Sequence, residues 1–122
     1  MTVIQTKDIT ISFDFDSTLS VFKTQKVARD LINKGYNVVI TTSRADWRDN
    51  SDLEEVAENL GITSISYTNH NDKHIHLKDT NTDIHIDDDE VELFLLQQYT
   101  TVVPIDVNID NWDLMLNELL GI

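Results

Sequence analysis

The chain has 122 residues, no cysteine, and 22 acidic against 9 basic side chains, for a formal charge of −13. This excludes disulfide staples, thiolate metal sites and a cysteine nucleophile, and a field of that sign repels nucleic acid and acidic membranes at long range. The length predicts one domain over residues 1–122 with a core that needs no crosslink, and the lack of a membrane-length apolar run or a basic-then-apolar leader predicts a soluble, cytoplasmic protein with no membrane partner.

The first β-type run is Ile9 to Phe15, and it carries Asp14 and Asp16 at its end, followed by Ser17 and Thr18. A helix is predicted over about 23–34, with Val27, Ala28, Leu31 and Ile32 on one face and Gly35 as its stop. Tyr36 to Thr41 has the continuous apolar middle of a buried strand and leads into Thr42, Ser43 and Arg44. Ser51 with Glu54 has the spacing of a capping box, opening a helix with Leu53, Val56, Ala57 and Leu60 inward and Gly61 at its end. Ile62 to Tyr67 is a weaker strand, and Lys73 lies in the loop beyond it. Asp83 to Asp87 alternates as a strand and runs into Asp88 and Asp89. A helix over 90–98, a strand over 101–104 and a helix over 111–120 complete the chain, the last with Trp112, Met115, Leu116, Leu119 and Leu120 inward.

Strand and helix alternate about five times. That rhythm predicts an α/β fold, a Rossmann-like three-layer sandwich around a parallel five-stranded sheet. Ligands bind such sheets beyond the carboxyl ends of the strands. Collected there are Asp14, Asp16, Ser17 and Thr18, then Thr42 and Ser43, then Asp87 and Asp88, with Lys73 in a nearby loop. Hard carboxylates suit Mg²⁺, while hydroxyls and a lysine suit phosphate oxygens. Each motif alone has a duller reading: an exposed alternating strand, a helix start rich in acids, a surface lysine. Their order along the chain is what gives them weight.

"DFDST" resembles the DxDxT motif of the haloacid dehalogenase superfamily of phosphatases. "VVITTSR" is similar to that family's second motif, Lys73 to its third, and "IHIDDD" to its fourth. The likeness covers about residues 9–105, and the wording around "TTSR", "TNHNDK" and "HIDDDE" resembles small phage or bacterial members. The resemblance implies Asp14 as the nucleophile that forms an aspartyl-phosphate and Asp16 as acid, then base. Strand alternation would put these two acids on one side. It implies Thr18 as a lock on the turn, Thr42 on the phosphoryl group, with Thr41 or Ser43 as substitutes if the register differs, and Lys73 as the neutralising charge. Mg²⁺ would be held by the Asp14 carboxylate, the Asp16 carbonyl and the acid pair, with Asp88 preferred as direct ligand and Asp87 beside it.

Caps in that family enter after the first motif or between the second and third, and neither interval has room here. A capless, open site is expected. Its partners would be a phosphorylated small molecule, a nucleotide or a nucleic-acid end, and a homo-oligomer in which a neighbouring subunit forms the lid stays open. Dehalogenation itself is disfavoured, because Asp16 and the acid pair serve phosphate chemistry. The alternative is a non-catalytic module that binds phosphate or Mg²⁺, either of the same fold or receiver-like. A receiver, however, needs its acceptor acid after the third strand and its lysine last. His70, His74, His76 and His85 are spaced loosely like a transition-metal site, or form, with Lys73 and Lys78, the least acidic rim of the molecule.

Overall fold

A computed structural model describes residues 8–122, so the first seven positions of the expected domain lie outside the described residues. Five strands, β1 Thr10–Phe13, β2 Asn37–Thr42, β3 Ile65–Tyr67, β4 Ile84–Asp87 and β5 Val103–Asp106, form one sheet in the order β3-β2-β1-β4-β5. Every pairing is parallel. Five helices connect and follow them: α1 Phe22–Asn33, α2 Ser51–Leu60, α3 Lys73–Lys78, α4 Glu90–Tyr99 and α5 Trp112–Leu120. The architecture is the Rossmann-like three-layer α/β sandwich. No helix among the described residues is long and apolar enough to cross a membrane.

Alternation along the strands divides the sheet into two unlike faces. Ile11, Phe13, Val38, Ile40, Ile84, Ile86 and Ile105 point into one core with Ala28 and Leu31 of α1, Leu53 and Ala57 of α2, and Trp112 and Leu116 of α5. The intervening residues include Ser12, Thr41, His85 and Asp87, all buried and all polar. On that side Leu77 of α3 packs with Leu93 and Leu96 of α4 in a second, smaller cluster. The polar face is kept because its groups satisfy one another. The Ser12 hydroxyl is hydrogen-bonded to Thr41 Oγ1 at 2.7 Å and to His85 Nδ1 at 3.0 Å, and His85 Nε2 lies 2.7 Å from Asp87 Oδ2.

Several boundaries differ from the sequence expectation for local reasons. β1 stops at Phe13, and Phe15–Leu19 forms a wide turn closed by the Leu19 amide on the Asp14 carbonyl and the Ser20 amide on the Phe15 carbonyl. Ser17 in that turn has φ of 59°, and the strand pattern cannot continue through it. The Ser51–Glu54 capping box does not form. Ser51 is already helical, its amide bonds Asp49 Oδ1, and Asn50 occupies the cap position. Lys73 opens a six-residue helix instead of lying in a loop. On α5, Met115 and Leu119 are about half exposed, because the helix buries only the stripe of Trp112 and Leu116. The interval from Arg44 to Lys73 holds α2 and β3, and the wide turn leads from Thr18 directly to α1, so no cap domain is present among the described residues.

Candidate active site

The chain steps from β1 to β2 and β3 on one side, then returns to place β4 on the other side of β1. Open α/β sheets bind ligands at such a reversal, beyond the carboxyl ends of the strands that flank it, here β1 and β4. β1 delivers Asp14 to this place and β4 delivers Asp87 and Asp88. Their register is fixed by the Phe13–Ile86 pairing and by the Asp14 amide on the Ile86 carbonyl at 2.9 Å.

Lys73 links the two strand ends. Its ammonium donates to Asp14 Oδ1 and to Asp87 Oδ2, both at 2.7 Å, and all three side chains are buried. The helix that carries it is itself tied down, through the Lys73 amide on Glu92 Oε2 of α4 at 2.9 Å. Burial alone would pull Lys73 down, but the charges of Asp87 and Asp14 outweigh it and hold the ammonium above its usual value.

The two carboxylates are not equivalent. Asp87 Oδ2 faces both Lys73 and His85, and its Oδ1 accepts from the amides of Asp88 and Asp89. Burial works to raise Asp87, but the hydrogen bond from His85 and the charge of Lys73 hold it below the usual range. Burial also lowers His85, against the pull of Asp87, which keeps the ring neutral. Asp14 has fewer donors. Beyond Lys73, its donor among the described residues is the Thr18 hydroxyl, which at 3.3 Å is shared with Asp88 Oδ1. Burial and the nearby charge of Asp87 push Asp14 up to about 8, against Lys73.

Asp14, Asp87 and Asp88 each offer an oxygen within 4.8 Å of the other two. The donor set is all carboxylate, which fits Mg²⁺ and does not suit softer metals. Within it Asp87 is already committed to four donors, so Asp14 and Asp88 have the oxygens to give. Among the described residues, no histidine joins a group that could hold a metal. His85 is engaged beneath Asp87, and His74 stacks on Tyr99 with ring centres 5.6 Å apart.

The other expected residues divide. Thr18 is buried between Asp14 and Asp88. Thr42 is buried at the end of β2, where its Oγ1 accepts from the Arg44 amide at 3.2 Å. Ser43 is exposed, and its carbonyl takes the His70 amide. Thr41 points to the opposite side and is engaged with Ser12. Asp16 has a different partner from Asp14. The strand has ended before it, and its carboxylate lies in solvent with 58 % side-chain exposure, held by Arg44. The turn, and not strand alternation, therefore sets where Asp16 stands relative to Asp14.

Sequence reasoning left Arg44 and Asp52 without a role. Arg44 is buried, its guanidinium stacks 4.9 Å from the centre of the Phe15 ring, and it binds Asp16 and Asp52 together. Hydrogen bonding to Asp52 and then Asp16 pushes Arg44 further up, and Arg44 holds Asp52 below the usual carboxylate range. The signal in the sequence was an arginine at the end of an apolar strand, with acids on either side at a distance.

No family model matches the chain, and no curated protein matches it. Among solved structures, a hypothetical protein from Xanthomonas campestris is similar, with 18% sequence identity and a TM-score of 0.56. The likeness covers 88% of this chain and 69% of that one. At this identity it bears on the α/β fold and leaves the chemistry at the strand ends to the residues themselves.

Proposed function

We propose that the chain is a Mg²⁺-dependent phosphomonoester hydrolase of the haloacid dehalogenase-like type, acting through Asp14. The observation that carries this reading is the placement of Asp14 at the sheet's switch point, buried between Lys73 and Thr18 and beside the oxygens of Asp88.

Asp14 is aimed and charge-compensated by Lys73. An Asp14 carboxylate oxygen attacks phosphorus, the bond from phosphorus to the ester oxygen breaks, and that oxygen leaves with the electron pair and takes a proton from Asp16. Water then attacks the aspartyl-phosphate and gives a proton to Asp16, releasing phosphate and restoring Asp14. Thr42 and the Lys73 ammonium are the donors for phosphoryl oxygens. Asp87 does not react; it anchors Lys73, and His85 and two backbone amides anchor Asp87 in turn. Asp14 and Asp88 would hold the Mg²⁺, which when bound offsets the repulsion between these carboxylates and a phosphate dianion.

A site with no cap domain over it among the described residues suits a phosphate presented from outside, such as that of a nucleotide or a nucleic-acid end. A receiver-like regulator finds no support in β3, which ends at Tyr67 and is followed by Thr68, with no carboxylate at either position. The test is phosphate release from an aryl phosphate, a nucleotide panel and 5′- or 3′-phosphorylated oligonucleotides. Turnover with Mg²⁺ that stops in excess chelator is the expected result. No release from any of them with Mg²⁺ present would refute the reading.

A further inference from the structure

The Arg44 guanidinium has five N–H donors, and all five are used. Nε donates to Asp16 Oδ2 at 2.9 Å and Nη2 to Asp16 Oδ1 at 2.7 Å. Nη1 donates to Asp52 Oδ1 at 2.7 Å and to Asn50 Oδ1 at 3.5 Å, and Nη2 also reaches Asp52 Oδ2 at 2.9 Å. The arginine is buried, whereas both carboxylates are more than half exposed. Asp16 is thus positioned from below by one cation and is otherwise open to solvent.

This arrangement conflicts with the role that the phosphatase reading gives Asp16. A carboxylate gripped at both oxygens accepts hydrogen bonds and has nothing to donate. To protonate an ester oxygen, Asp16 must leave Arg44. A buried arginine that loses its only anion is left uncompensated, at a cost of about 3–5 kcal/mol. Asp52 removes that obstacle. It sits at the start of α2, is fixed by its own bond to the Leu53 amide at 2.9 Å, and faces the guanidinium from the other side. When Asp16 departs, Arg44 still has a bidentate partner.

We propose that Arg44 and Asp52 form a dock for Asp16: Arg44 holds the acid/base carboxylate at rest, and Asp52 is the standing counter-ion that lets it go. Both are positioning residues. Neither touches the reacting atoms. The inference rests on the phosphatase reading for the role of Asp16, and on the ion-pair geometry for the dock itself.

Asp52→Asn is the informative variant, because the residue is exposed and its loss leaves the core untouched. It makes Asp16 the sole anion on Arg44 and so tightens the grip. With Mg²⁺, kcat/KM for an alkyl phosphate, whose leaving oxygen needs a proton, is expected to fall about tenfold or more. For p-nitrophenyl phosphate, whose leaving group departs unprotonated, it should change by less than about threefold. Asp52→Glu should restore part of the alkyl rate. Equal losses on both esters, or no loss on either, would overturn the dock. A second arm does not depend on turnover. The Arg44 Nε–H resonance of ¹⁵N-arginine-labelled protein should move when Mg²⁺ and beryllofluoride are added, as Asp16 leaves, and should move less in Asp52→Asn. An unmoved Nε–H would also overturn the dock. If the native chain cleaves neither ester and the resonance ignores Mg²⁺ and beryllofluoride, the phosphatase reading falls and the dock with it, whereas cleavage of both esters with an unmoved resonance overturns the dock alone.

Discussion

Replacing Asp14 with Asn is expected to end turnover while producing a protein that melts higher than the native chain at pH 8. A carboxamide forms no aspartyl-phosphate, so kcat should drop by at least about 10⁴-fold. The stability effect follows from the burial of Asp14 beside Asp87, which raises its pKa from 3.8 to about 8. Between those values the folded chain holds a proton that the unfolded chain has released. Stability therefore declines as pH rises from about 4 to about 8 and levels off above that. Asn keeps an oxygen for Lys73 and carries no charge, so that decline should largely vanish. Thermal melts in chelator from pH 5 to 9 would show it, with the variant ahead at pH 8 by at least about 1 kcal/mol, or roughly 4 °C. Parallel pH slopes for the two proteins would show that Asp14 does not carry the buried proton, and retained turnover would show that it is not the nucleophile.

The opposite outcome is expected for Lys73→Met. Lys73 is 3 % exposed and neutralises two carboxylates at 2.7 Å each. Without it Asp87 keeps His85 and its two amides, while Asp14 keeps only the shared Thr18 hydroxyl. Removing one partner of a buried ionic group costs about 3–5 kcal/mol, a large part of the ~5–15 kcal/mol that holds a domain together. Urea unfolding in chelator should show that loss, and Mg²⁺ should recover part of it, since a cation between Asp14 and Asp88 returns positive charge to the same spot. A midpoint unchanged from the native chain would mean that the lysine is not what compensates these acids.

The sheet was legible because "YNVVIT" reads as the apolar run of a strand covered on both faces, and "DIHID" reads as a strand by its alternation. The residue types at the strand ends were legible too, since Asp14, Thr42, Asp87 and Asp88 need only the strands to end about where the apolar runs do. What failed depended on geometry finer than periodicity. "FDFD" alternates perfectly, yet the strand ends inside it, because the wide turn over Phe15–Leu19 offers its own backbone bonds. Six residues are too few for α3 to show a helical period. Pro104 sits within β5 and not at its end, which an edge strand tolerates on its unpaired side. The chain through Ser12, Thr41 and His85 was invisible, because polar residues in strands look like a solvent face until another layer covers them. Arg44 and Asp52 join helix α2 to the wide turn, a link that neither segment announces by itself.

Lys73 and Arg44 are the two buried cations among the described residues, and each already answers to two carboxylates. Each is therefore charge-balanced within the fold before a dianion arrives from bulk, while the chain as a whole carries −13. Capture should thus be faster in a stronger electrolyte: the screening length shrinks from about 30 Å at 0.01 M to about 10 Å at 0.1 M, and the long-range barrier to an incoming anion shrinks with it. Most proteins that seize phosphates lose ground as sodium chloride is added. This one should gain.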